Sequence, residues 1–128
     1  MKSCDAYVDK INFICEEIRI WGWMIGNDSN NLEIKLVNEE NEIDIQVYRY
    51  VRMDVIQQKK LTEENYQCGF EVIGHIKNVR NCYLLVSDKN TTVKIPLNLK
   101  KVRRKNRKKI RHYIYTRYKN AGFISECI

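Results

Sequence analysis

No stretch of this 128-residue chain approaches 18 consecutive apolar residues, which excludes a membrane-spanning helix. The opening decapeptide, Met1 to Lys10, lacks the apolar core of a secretory signal. None of the five cysteines (Cys4, Cys15, Cys68, Cys82, Cys127) forms a Cys-x-x-Cys pair, so zinc knuckles and thioredoxin-type sites have no support. All five read as free thiols in a reducing cytoplasm, with Cys68 and Cys82 packed in strands. The glycosylation sequons at Asn27 and Asn90 then read as chance, since the motif is permissive and no secretion signal accompanies them.

The usual catalytic constellations are missing too. There is no Gly-x-Ser-x-Gly elbow. Gly69 and Gly74 have the spacing of a phosphate loop, but His75 stands where its lysine belongs. The only histidines, His75 and His112, have no ligand-spaced partner, and no two aspartates stand two apart to hold a divalent metal under a nucleotide diphosphate. Catalysis within this chain is therefore not expected, and neither is a cofactor or a metal.

Charge is present but divided. Residues 1–99 carry 12 Lys/Arg against 15 Asp/Glu, whereas residues 100–128 carry 11 against the single Glu126. The net +7 is thus a mildly acidic domain (1–99) followed by a basic segment (100–128). A uniformly basic nucleic-acid-binding fold is disfavoured.

The first part reads as strands between Asn/Asp/Ser/Glu-rich turns. Leu32/Ile34/Leu36, Ile43/Ile45/Val47, Phe70/Val72/Ile76 and Val93/Ile95/Leu97 recur at period 2, which turns one face to a core and the other to solvent. Ile18 to Ile25 is apolar on both parities over its second half, as suits a central or covered strand. Short turns at Asn27–Asn31, Asn38–Asn41, Asn78–Asn81 and Ser87–Asn90 are expected to join neighbouring antiparallel strands. Pro96 suits an edge strand. The fold class is mainly β: an antiparallel sandwich of about seven strands followed by one basic amphipathic C-terminal helix. The longer connection from Arg49 to Gln67, with Asp54 capping a helical turn from Val55, is expected to cross between the sheets.

Two polar or aromatic groupings stand out. Trp21 and Trp23, two apart on a strand, project from one face and are candidates for stacking on a sugar ring or base. The alternative is ordinary core packing, or a floor for the C-terminal helix. Arg52 and Asp54 suit an ion pair that braces a carboxylate or pins the long connection.

These residues also stand in a recognisable order: Gly22-Trp23 ending a strand, then Arg52-x-Asp54-Val55, then Gly69-Phe70 opening another. From about Ala6 to Leu99 this resembles the N-terminal β-sandwich domain that precedes the catalytic domain in some bacterial family 2 glycosyltransferases of surface-polysaccharide synthesis. The resemblance implies a non-catalytic accessory module that places an acceptor glycan or packs on a downstream transferase domain of the same polypeptide. It carries over no catalytic residue, because the nucleotide-sugar and metal motifs belong to that downstream domain. Gly22, Trp23, Arg52, Asp54, Val55, Gly69 and Phe70 become fold-defining. Gly69 is expected to supply backbone freedom and Phe70 to fill the core.

From Lys100 the period changes. Ile110, Tyr113, Ile114, Tyr118 and Ala121 fall at helical spacing before Gly122, the remaining surface is basic, and the chain stops without an evident end signal. Gly122-Phe123 resembles the linker into the transferase domain. Like-charged neighbours four apart, such as Arg103/Arg107, Arg104/Lys108 and Arg107/Arg111, cost on the order of 1–2 kcal/mol together at low salt. Packing of the apolar stripe offsets that cost, or an anionic partner does. Arg103, Arg104, Arg107, Lys108 and Arg111 are accordingly the candidate anion-binding residues, for an anionic membrane surface or, less readily, nucleic acid. The expected compartment is the cytoplasm, with membrane association through this helix.

Overall fold

A computed structural model describes residues 4–26 and 31–102. Period-2 alternation becomes eight antiparallel strands: β1 (Asp5–Ile14), β2 (Glu17–Ile25), β3 (Glu33–Asn38), β4 (Asn41–Ile43), β5 (Ile45–Tyr50), β6 (Gly69–His75), β7 (Cys82–Ser87) and β8 (Thr92–Leu97). They form two four-stranded sheets, ordered β1-β2-β6-β5 and β4-β3-β7-β8. The inward residues of both sheets join one apolar cluster. Ile18, Ile20, Phe70 and Val72 from the first sheet and Leu36, Leu84 and Val86 from the second are fully buried. Each such side chain stabilises the fold by about 1.5–3 kcal/mol relative to exposure. This is the expected mainly-β sandwich, with Pro96 on the edge strand β8.

Several details differ from the sequence expectation. The first strand, β1, leaves β2 as the second strand, ending after Gly22-Trp23; the alternation of β1 is broken by a bulge between Val8 and Lys10 that inserts Asp9. The apparent run Ile43–Val47 is two strands, because the chain changes sheet at Asp44 while keeping its parity. Of the four short turns, Asn38–Asn41 and Ser87–Asn90 are hairpins. Asn27–Asn31 and Asn78–Asn81 lie between strands of different sheets. The long Arg49–Gln67 connection does not cross over; it returns to the same sheet, where β5 pairs directly with β6. A short turn therefore did not identify a hairpin, nor a long one a crossover, since both alternatives satisfy the same local alternation.

Local side chains explain these connections. The β1–β2 and β3–β4 hairpins are two-residue turns with φ of 55° and 67° at Cys15 and Glu16, and of 53° and 67° at Glu39 and Glu40. Two successive left-handed residues match the twist of paired strands. Buried Asn38 donates to the Arg80 carbonyl at 2.8 Å, tying the β6–β7 crossover to β3. In the β5–β6 connection a short helix, α1 (Met53–Lys59), precedes a single 3₁₀ turn, Glu63–Asn65. Buried Asn65 there accepts from the Gly26 N–H (3.1 Å) and donates to the Gly26 carbonyl (2.7 Å). One amide thus satisfies both backbone groups beyond the end of β2.

After β8, Asn98 caps a helical turn over 99–102. Its side-chain oxygen accepts from the Lys101 N–H at 3.3 Å, and Leu99 is buried in the core. The rest of the expected helix, with Ile110, Tyr113, Ile114, Tyr118 and Ala121, lies outside the described residues. The candidate anion-binding residues Arg103, Arg104, Arg107, Lys108 and Arg111 lie outside the described residues. No helix among the described residues is long and apolar enough to cross a membrane.

The thiols need one correction. Cys4, Cys68 and Cys82 are buried and free, but Cys15 is disulfide-bonded, against the expectation of five free thiols. Spacing along the chain says nothing about cysteines that meet through tertiary structure. Cys127 lies outside the described residues. Burial pushes the Cys82 thiol up to about 11 and also raises Cys68, so neither is a ready nucleophile near neutral pH.

Candidate functional site

In β2, Ile18, Ile20, Gly22 and Met24 point into the core, so Trp21 and Trp23 point the other way. Both indoles lie half-buried on the outer face of the first sheet. This overturns core packing as the account of them; the other reading, a floor for the C-terminal helix, falls on residues outside the described ones. Strand register sets what surrounds them. Across the sheet, Tyr7, Trp23, Gly69 and Tyr50 form one row, and Lys10, Trp21, Glu71 and Tyr48 the next. Tyr7 (56% exposed) stacks on Trp23 with centroids 6.1 Å apart, and Tyr48 is 52% exposed. The Lys10 ammonium lies over Trp21 at 5.3 Å and the Lys59 ammonium over Trp23 at 4.9 Å. Below the second row the face continues as a shallow hollow of about 380 Å³ lined by Glu17, Arg19, Asp44, Gln46, Ile73 and His75.

Arg52 ties this face together. Asp9 and Arg52 belong to opposite sides of the sheet, β1 and the segment leaving β5. Even so, Nη1 of Arg52 reaches Asp9 at 2.5 Å, while Nε and Nη2 grip Asp54 at 2.9 and 2.6 Å. Only 20% of the Arg52 side chain is exposed. Asp54 does not cap the helix. Position Arg52 precedes α1 with no side-chain cap, and Asp54 lies in the first turn as a ligand of Arg52. That ion pair, helped by the Val55 N–H, lowers the Asp54 carboxyl to about 2, while its two carboxylates raise the Arg52 pKa.

The remaining pattern residues serve the same construction. A Cβ on Gly69 would lie 2.5 Å from the Tyr50 ring and 2.7 Å from Cγ of Arg52, so glycine here leaves a trough through which both side chains pass. The expected role, backbone freedom, is replaced by close approach: Gly69 has no positive φ. A Cβ on Gly22 would collide with the carbonyl oxygen of Tyr7 and lie 2.8 Å from Cζ of Phe70. The bare backbone of Gly22 therefore admits the bulge, and the bulge inserts Asp9, the residue Arg52 reaches. Phe70 is fully buried against Gly22, and Val55 is the buried anchor of α1. Gly22 thus lies against Phe70, and Gly69 against Arg52, which in turn holds Asp54.

Asp9, Tyr7, Lys10 and Lys59 were not singled out from sequence. The bulge hides the parity of β1, and Lys59 reaches Trp23 only because α1 folds back over the sheet. His75 is exposed as alternation predicts. Among the described residues, no group of three or more His, Cys, Asp or Glu is placed to hold a metal ion. In comparisons with known proteins, no family model, curated protein or solved structure matches this chain.

Proposed function

We propose that the chain is a non-catalytic accessory domain of a bacterial family 2 glycosyltransferase of polysaccharide synthesis, and that the outer face of its first sheet positions acceptor glycan. One observation carries this: Trp21 and Trp23 stand side by side on a solvent-facing sheet, joined by Tyr7 and Tyr48, although an indole is ordinarily a residue to bury. Flat aromatic rings at a spacing of about 6.6 Å along a strand offer successive platforms for sugar rings. The Arg52 ion pairs and the Asn65–Gly26 link hold the floor of that surface in a single geometry, which lowers the entropic cost of binding. The adjoining hollow offers Gln46, His75 and the Arg19–Glu17 pair as hydrogen-bonding groups for hydroxyls.

The test is a titration of the full chain with cell-wall oligosaccharides, followed by tryptophan fluorescence and by NMR. Trp21 and Trp23 signals shift under this proposal, and Trp21→Ala with Trp23→Ala abolishes the effect. No perturbation near either indole at millimolar sugar refutes glycan positioning.

A further inference from the structure

The charges of the aromatic face are distributed unevenly. Arg19 pairs with Glu17 and Glu71, and Arg52 with Asp9 and Asp54, so two guanidinium groups take up four carboxylates. Lys10 and Lys59 are left over. Among the described residues neither has a carboxylate within 4 Å; each is held instead over an indole. The two ammonium groups therefore mark adjacent positions along β2, one reaching in from the edge strand β1 and the other from the far end of α1.

We infer that this face selects acidic glycans, with a carboxylate or phosphate of the polymer between Lys10 and Lys59 and sugar rings on Trp21 and Trp23. This rests on the glycan-positioning function proposed above. A neutral sugar stacking on either indole displaces an ammonium from the ring and gives up a cation–π contact. An acidic glycan also displaces the ammonium from the ring, but its own anionic group then pairs with the lysine beside the ring and replaces the lost contact. The four cations, Lys10, Arg19, Arg52 and Lys59, share the face with the four paired carboxylates and with Asp5 and Asp44, so it offers no continuous track for a polyanion charged at every unit. That favours a polymer whose charges alternate with uncharged ring surface over nucleic acid.

The experiment compares binding of the full chain to oligogalacturonate (carboxylate), to a sugar–glycerol-phosphate oligomer (phosphate) and to a neutral cello-oligosaccharide. Tryptophan fluorescence reads binding at low and at 0.5 M salt. Binding to either acidic probe should exceed binding to the neutral one, and should weaken with salt as an exposed charge pair does. Lys10→Gln with Lys59→Gln, both surface changes, should raise the Kd for the acidic probe about ten-fold. Which acidic probe binds identifies the anion. Equal binding of neutral and acidic probes, or a Lys10→Gln/Lys59→Gln variant with unchanged affinity, overturns the charge selection while leaving glycan positioning intact. Failure of all three probes removes both. Lysine-dependent binding of phosphatidylserine vesicles or oligo-dT, with the acidic sugars inert, reassigns the face to another partner and likewise overturns the inference.

Discussion

Replacing Gly22 by alanine sets the core, the bulge and the surface against one another. The added methyl meets the Tyr7 carbonyl on one side and Cζ of Phe70, 2.8 Å away, on the other. Tyr7 is backbone in a paired strand and Phe70 is fully buried, so neither moves cheaply. Overpacking of this kind costs about 1–3 kcal/mol, and a backbone collision belongs at the upper end. At about 4–8 °C per kcal/mol for a domain of this size, Tm should fall by roughly 12–24 °C. Gly69→Ala provides the control. Its methyl meets only side chains, Tyr50 at 2.5 Å and Arg52 at 2.7 Å, on the open face of the sheet. Those can swing away, and the unfolded chain loses about 0.4–1 kcal/mol of entropy advantage. Gly69→Ala should therefore lower Tm by less than about 8 °C while displacing Arg52 and changing tryptophan fluorescence. Urea and thermal unfolding of both variants, read by circular dichroism, provide the comparison. A Gly22→Ala protein within about 4 °C of the parent, or one more stable than Gly69→Ala, would refute the close-packed role of Gly22.

Three further outcomes are expected. Asp54 has a folded-state pKa below its unfolded value, so its ion pair contributes stability above pH about 4 that is lost as pH falls towards about 2; Asp54→Asn should flatten acid unfolding across that window, and an unchanged profile would show that the pair contributes nothing. Glu40, at φ 67° in a two-residue turn, bears a left-handed conformation that glycine adopts freely. Glu40→Gly should thus raise stability by about 1 kcal/mol in urea melts, whereas a loss would contradict the strain. Asn65→Ala strands the buried N–H and carbonyl of Gly26, and should cost about 2–4 kcal/mol. A loss under about 1 kcal/mol would mean that water replaces the amide.

Alternation was enough to recover the inward set Leu36, Phe70, Val72 and Ile76 and the outward His75, because a strand turns successive side chains to opposite faces whatever its partners are. The same parity argument placed Trp21 and Trp23 together but left open which side they took, since Ile18–Ile25 is apolar on both parities in its second half. Only the packing of β6 against β2, with Phe70 lodged over Gly22, decided that the inner side was already full.

By itself, then, the sequence determined the class of fold and the placing of the two tryptophans on one face of a strand. It did not determine which connections cross between sheets, that Cys15 is disulfide-bonded, or that Asp9, Lys10 and Lys59 join the tryptophans and Arg52 on one face. Those outcomes depend on contacts between residues tens of positions apart. They arise where a bulge changes parity by one residue and where an arginine spans the width of a sheet, and neither event leaves a mark in local periodicity.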